Sequence, residues 1–554
     1  VRSSVLGDII NSTPAVVGAP SYVPYLADKI DGNVGDYLSF QQTYAARPEL
    51  IYVGANDGML HAFSAVTGQE VFAFVPTQAL ANMPKLTGQT YKGGAHRFFV
   101  DGSPTVRDVY FNNAWHTVLI GTLGAGGRSL FALDITNPGE DGTGIKLLWE
   151  ITPQTEGYEN LGYTFPEPEV VRLHSGEWAL LQGNGYDSED DVASLLIINI
   201  QDGSLIKEIV VDAGVNGANG LSSVRGADNN GDGLVDYAYA GDLKGNLWRF
   251  DLIASVNDDS IPDPFARSVQ TSVTSADFKV SYGGNPLYTA SYPGAENTTR
   301  AQAITAAPSL VRHPTMRGYI VLFGTGKYFE TADAAPDTTK ANSIYGIWDR
   351  LTKAQNTQSA AALNLTRNNL QAQTIQQQTV TTFNKEDGSS TTRTVRYISQ
   401  NPITWYVDGT TPAQEEQNNK VNKWGWYLDL QVGSTKKGEM MVDRMLVRGD
   451  TLLFGTITPN SDPCADGNEY WAYGIDAHLG SRTKHPTFDF NQDGRFDKGD
   501  TNNGAVPSGY GSSSPIALTR DGTVIDVGGS MGFATSPELH GRQSWQTMPL
   551  EIDE

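Results

Sequence analysis

The chain has 554 residues, 39% of them hydrophobic and 10% aromatic, which is too long for one small core and too aromatic for wholesale disorder. It holds 39 Lys and Arg against 62 Asp and Glu, a net charge of −23. Such a field repels phosphate backbones and excludes general nucleic-acid binding, while supplying many hard oxygen ligands.

From the N-terminus, one pattern recurs. Residues 47–63 (RPELIYVGANDGMLHAF) read as a strand ending in Gly54, a turn and a second strand. The Asp57-Gly58 pair supplies the positive-φ residue the turn needs. The pattern returns where 116–121 run into 129–134, 178–183 into 194–199, and 237–242 into 245–251. It continues where 319–324 run into 343–349, and 452–455 into 470–476. A small or Pro-containing start precedes these units near Ser12, Gly102, Pro166, Leu221, Ala307, Met440 and Ser513. The starts are roughly 55 to 135 residues apart, against about 40 to 50 for a plain propeller blade.

Repeated all-β units with 59 glycines predict an all-β fold, a modified seven-bladed β-propeller with loop and helical insertions. Residues 1–554 read as a single propeller domain. The predicted insertions are 258–298, a Pro- and Gly-bearing loop, and 352–423, in which 358–378 is either an amphipathic helix or a mobile loop. A third, 484–504, carries a calcium loop.

Two segments carry chemistry. Asp228, Asn230, Asp232, Gly233, Leu234 and Asp236 spell D-x-N-x-D-G-x-x-D. Oxygen side chains fall at positions 1, 3, 5 and 9, Gly at 6 allows the sharp turn, and the Leu234 carbonyl at 7 can point inward. This is an oxygen cage for Ca²⁺. Asp489, Asn491, Asp493, Gly494, Arg495 (through its carbonyl) and Asp497 repeat it. At position 12 the second loop has Asp500 and the first has Tyr239, which predicts a weaker, water-completed first site and a tighter second one. Strand character follows the first loop, so it does not belong to a helix-loop-helix, and the second is flanked by loop, as in an insertion.

Other signals are bland. Arg448-Gly449-Asp450 reads as a hairpin turn between strands, and the glycine-rich 121–127 leads into a strand where a phosphate loop would lead into a helix. The lone Cys464 cannot form an internal disulfide, but can pair with a cysteine outside the fragment. There is no apolar run of about 18 residues, so no transmembrane segment is expected. A start at Val1, without Met or apolar leader, reads as a fragment of a longer polypeptide.

The opening LGDIINSTP (6–14), VGANDGMLHAF (53–63), the 228–236 loop and GWYLDL (425–430) together resemble the PilY family, type IV pilus biogenesis factors and pilus-tip adhesins of Gram-negative bacteria. The resemblance covers the whole chain, as the C-terminal domain of a longer protein. It implies a seven-bladed propeller with one calcium site on Asp228, Asn230, Asp232, the Leu234 carbonyl and Asp236, in which calcium regulates pilus extension, retraction and twitching motility. It implies minor pilins and the pilus-tip complex as partners, and host cell or other surfaces as adhesion targets. The location implied is the pilus tip, extracellular or outer-membrane-associated, reached by export through the periplasm. The loop at Asp489 is not part of that pattern. The reading is non-enzymatic. Alternatives are a quinone-dependent dehydrogenase-like propeller, whose calcium would sit with cofactor in the central channel, and a carbohydrate-binding propeller.

Overall fold

The computed structural model describes residues 6–22, 27, 36–87, 96–212, 214, 217–229, 231–253, 273–294, 298–316, 318–350, 363–460, 467–512, 517–518, 523–526 and 529–532. By its internal contacts the chain divides into two compact units, one comprising essentially 1–243 and 247–287, the other 288–353 and 363–554.

The first unit contains four antiparallel meanders. Ala15–Val17, Leu50–Gly54, Leu60–Ser64 and Glu70–Phe74 form the first, and Thr105–Phe111, Ala114–Thr122, Leu130–Asp134 and Lys146–Ile151 the second. Glu169–Arg172, Trp178–Gly183, Ala193–Asn199 and Leu205–Asp212 form the third. Leu221–Ala227, Tyr237–Asp242, Asn246–Asp251 and Lys279–Val280 follow as the fourth.

Consecutive meanders pack face to face, which explains why the central strands are continuous apolar runs. Along Trp178–Gly183, Leu180 joins Trp115 and Ile120 of the second meander, while Leu181 joins Val224 and Ala240 of the fourth. With a side-chain period of two, alternate residues face opposite neighbours, and both faces must be apolar. The glycine that ends Trp178–Gly183 has a matching cause. A Cβ on Gly183 would lie 2.1 Å from the carbonyl oxygen of Ser222 in the next meander. In the first hairpin Leu50 to Gly54 pair with Ser64 to Leu60, and Gly58 takes φ 102° in the turn, as the sequence implied.

In the second unit Ser309–Arg312, Tyr319–Gly324, Ser343–Asp349 and Gly425–Val432 form one arm of a ten-stranded sheet. Gly509–Ser512, Glu469–Asp476, Thr451–Thr458 and Leu446–Arg448 form the other. Ala517–Leu518, Thr523–Asp526 and Gly529–Gly532 make a separate three-stranded sheet.

The insertion at 352–423 departs from expectation. Residues 352–362 lie outside the described residues, and the Gln- and Thr-rich part from 371 is neither helix nor loop but a long hairpin, Gln371–Asn384 with Ser390–Ile398, that joins the two arms. Alternating Gln373, Ile375, Thr381 and Phe383 are buried, and β-branched Thr, Ile and Val favour the extended chain. Asp387 accepts from the Ser389 N–H, and Gly388 takes φ 85° to close the turn. The helix of this region is shorter and later, Pro412–Val421, with the Thr411 hydroxyl accepting from the Gln414 N–H. Within 258–298, residues 258–272 lie outside the described residues. The part that follows is not simply loop, since Lys279–Val280 supplies the fourth strand of its meander. Leu446–Arg448 and Thr451–Thr458 pair across Gly449-Asp450, the hairpin turn read from the sequence. Cys464 lies outside the described residues.

Candidate metal centre

The first loop connects Leu221–Ala227 to Tyr237–Asp242, whose register closes with Ala227 opposite Tyr237. Its exit is stitched by the Asp236 N–H to the Ala227 carbonyl (2.8 Å) and by the Leu252 N–H to the Asp236 carbonyl (2.9 Å). Asp228 Oδ1 accepts from the Gly231 and Asp232 N–H groups (2.7 and 3.2 Å), and Oδ2 from Gly233 (2.7 Å). Asp232 Oδ1 accepts from the Leu234 N–H (2.9 Å). Asp236 Oδ2 takes the Asn229 N–H (2.6 Å), and Oδ1 lies 2.9 Å from His174 Nε2. Gly231 and Gly233 take φ of 74° and 89°, turning the chain around its own carboxylates. Asn230 lies outside the described residues.

The second loop lies between Glu469–Asp476 and Gly509–Ser512 and repeats the wiring. The position-1 carboxylate of Asp489 accepts from the N–H groups of positions 5 and 6, Asp493 (3.1 Å) and Gly494 (2.9 Å). The position-5 carboxylate, Asp493, accepts from the N–H of position 7, Arg495 (2.8 Å). Asn491 Oδ1 accepts from Asp493 N–H, and Asp497 Oδ1 from Gly499 N–H. Asp500 closes the loop, taking the N–H groups of Asn491 and Asp497 at 3.1 Å each. Two loops more than 250 positions apart thus share the same wiring from their position-1 and position-5 carboxylates. The Arg495 side chain points away, to Glu386 at 3.4 Å, which leaves only its carbonyl as the predicted donor.

Among the described residues, no three or more His, Cys, Asp or Glu side chains gather into a metal-binding group. Backbone N–H groups hold the carboxylates. The donor chemistry nevertheless fits Ca²⁺, which takes six to eight oxygens, including amide and backbone carbonyls. Burial pushes the Asp228 carboxyl above its ordinary range, and the charge of Asp232 adds to the rise. Asp236 is raised by burial against the opposing contacts of His174 and the Asn229 N–H. Asp500 is wholly buried and is pushed up to about 6, chiefly by burial, with the Asp489 charge adding. A cation relieves each of these costs.

Sequence reasoning missed the contacts that topology brings in. His174 reaches the first loop from 62 positions upstream. The tip of the long hairpin holds the second. Lys385 Nζ donates to the Gln492 carbonyl (2.9 Å), Asn491 Nδ2 to the Asn384 carbonyl (3.3 Å), and Thr391 to the Phe490 carbonyl. Phe383 stacks on Phe490, centroids 4.8 Å apart. No local spacing signals either.

The repeated meanders define a β-propeller domain, and residues 6–387 match the family model described as the PilY1 beta-propeller domain. The chain is 48% identical to the type IV pilus biogenesis factor PilY1 of Pseudomonas aeruginosa strain PAO1, over 99% of its own length and 46% of the relative's. A PilY1 homolog of Xylella fastidiosa is 34% identical over 97% of the chain and 38% of the relative. The crystal structure of the P. aeruginosa PilY1 C-terminal domain superimposes with a TM-score of 0.78 at 45% identity, covering 94% of this chain and all of that one. The chain belongs to the PilY1 family of type IV pilus biogenesis factors. It spans under half the length of these curated relatives. Among the described residues, no helix is long and apolar enough to cross a membrane.

Proposed function

We propose that this chain is the calcium-dependent propeller module of a non-enzymatic type IV pilus biogenesis factor and tip-associated adhesin, acting outside the cell after export through the periplasm. Its partners are the minor pilins of the tip complex and host or other surfaces. The four meanders, the two four-stranded arms and the three-stranded sheet support a count of seven blades. The observation that carries the calcium reading is the wiring shared by the two loops, position 1 to positions 5 and 6, and position 5 to position 7.

Asp228, Asn230, Asp232, the Leu234 carbonyl and Asp236 would hold the first Ca²⁺. Asp489, Asn491, Asp493, the Arg495 carbonyl, Asp497 and Asp500 would hold the second. Bound calcium supplies positive charge to clustered carboxylates. Without it Asp228, Asp232 and Asp236 repel one another and the loop loosens. A cation bound to only one loop state biases that state by its differential affinity. If the ordered loop engages the pilus machinery, calcium sets pilus extension against retraction, and with it twitching. Complementation with Asp236→Ala, mimicking the empty loop, and Asp236→Lys, placing an ammonium in the cage, tests this by surface piliation and twitching. Opposite phenotypes support the switch. Normal piliation in both removes it and leaves calcium structural.

A further inference from the structure

His174 lies in the turn between Glu169–Arg172 and Trp178–Gly183, in the meander before the one that carries the first loop. Its Nε2 is 2.9 Å from Asp236 Oδ1, and both side chains are wholly buried. A carboxylate only accepts, so Nε2 is the donor. Among the described residues, the buried Nδ1 has no hydrogen-bond partner. An imidazole whose second nitrogen is left unsatisfied in a core is a poor packing choice, and an apolar ring would cost less there. Among the described residues, the polar partner of its side chain is Asp236. The strand end leading into this turn meets the loop as well, where the Val235 N–H donates to the Arg172 carbonyl (2.9 Å), and Leu173 and Val235 share one apolar cluster. The Asp236 carboxylate is therefore pinned at both oxygens, Oδ2 by its own loop through Asn229 and Oδ1 by the neighbouring meander through His174. Each oxygen keeps a lone pair for a cation.

We propose that His174 is a positioning residue of the first calcium site, fixing the rotation of the Asp236 carboxylate and tying calcium binding in one meander to a turn of the preceding one. This rests on the calcium reading of the 228–236 loop. Outer partners that orient a metal ligand typically carry 10- to 100-fold in affinity.

The test is calcium calorimetry on the whole chain carrying Asp489→Asn, which silences the second loop. In that background His174→Phe, which keeps a ring but no donor, is expected to weaken calcium 10- to 100-fold. His174→Gln, whose amide N–H can replace Nε2–H, is expected to restore affinity to within about threefold. Terbium luminescence decay in H₂O and D₂O gives a second reading. His174→Phe should show more ion-bound water than the parent, and His174→Gln should not. Should His174→Phe fail to fold, His174→Asn, whose donor is set back along the side chain, must show the same weakening. Parent-like affinity and hydration in His174→Phe or His174→Asn, while Asp236→Ala abolishes binding, overturns the proposal and leaves the calcium site standing. Calcium heats that Asp236→Ala leaves unchanged overturn the calcium reading itself, and this proposal with it.

Discussion

Asp500 is the most informative single group to perturb. It is wholly buried, and its carboxyl is pushed from an ordinary 3.8 up to about 6. A rise of roughly two pKa units, at about 1.4 kcal/mol each, is a cost of about 3 kcal/mol to the calcium-free fold when the group is ionised. The sign follows from linkage. Between pH 3.8 and about 6 the folded chain binds the proton more tightly than the unfolded chain. The cost is absent below that window, grows through it, and is complete above it. Asp500→Asn removes the ionisation and weakens a hydrogen bond from Asn491 or Asp497, a loss of about 1 kcal/mol that is the same at every pH. In chelator, the stability of the variant relative to the parent should therefore rise by about 2–3 kcal/mol between pH 4 and pH 7.5. Urea unfolding followed by tryptophan fluorescence at the two pH values measures it. Calcium at pH 7.5 should then stabilise the parent more than the variant. A difference between variant and parent that stays constant across the two pH values refutes the reasoning, because the site would then lack a buried carboxylate strained by its own charge.

The hairpin is tied into the second unit by a buried ion pair. Arg396 on its second strand lies 2.7 Å from Glu439, which also accepts from Thr456 (2.7 Å) and Tyr473 (2.9 Å). Glu439→Gln leaves the guanidinium buried without its counter-charge and should cost about 3–5 kcal/mol in urea unfolding. Arg396→Met with Glu439→Leu should recover most of that loss. In the first hairpin, burial opposes charge on His61, but hydrogen bonds to Asp57 (3.1 Å) and Glu70 (2.6 Å) raise its pKa above 6.5. Its stabilisation is present below pH 6.5 and lost as pH rises through the folded value. Thermal melts of His61→Phe in chelator should lack that decline between pH 6 and 8.5, while the parent shows it.

The fold was legible where periodicity is local. Strand, glycine, turn and strand at 50–64, 114–134, 178–199, 237–251, 319–349 and 451–476 all form the antiparallel pairs their patterning implied. Gly54 and Gly183 marked where another backbone approaches, Val100 and Ser222 respectively. The hairpin at 371–398 was not legible, because scattered Ala and Leu before it suggested helix while the β-preference of Thr and Ile needed partner strands to take effect. The backbone wiring of both D-x-N-x-D-G loops follows a local motif, since its residues lie within twelve positions. His174, Asn384 and Lys385 were not legible, since only chain topology brings them to those loops.

The most direct test of the account is calcium calorimetry on the wild-type chain, Asp236→Ala and Asp497→Ala. Two sites are expected in the wild type, the tighter in the loop that has Asp500 at position 12, where the other has Tyr239. Asp236→Ala should remove the weaker site alone and Asp497→Ala the tighter one alone. Calcium heats unchanged in both variants would contradict the account.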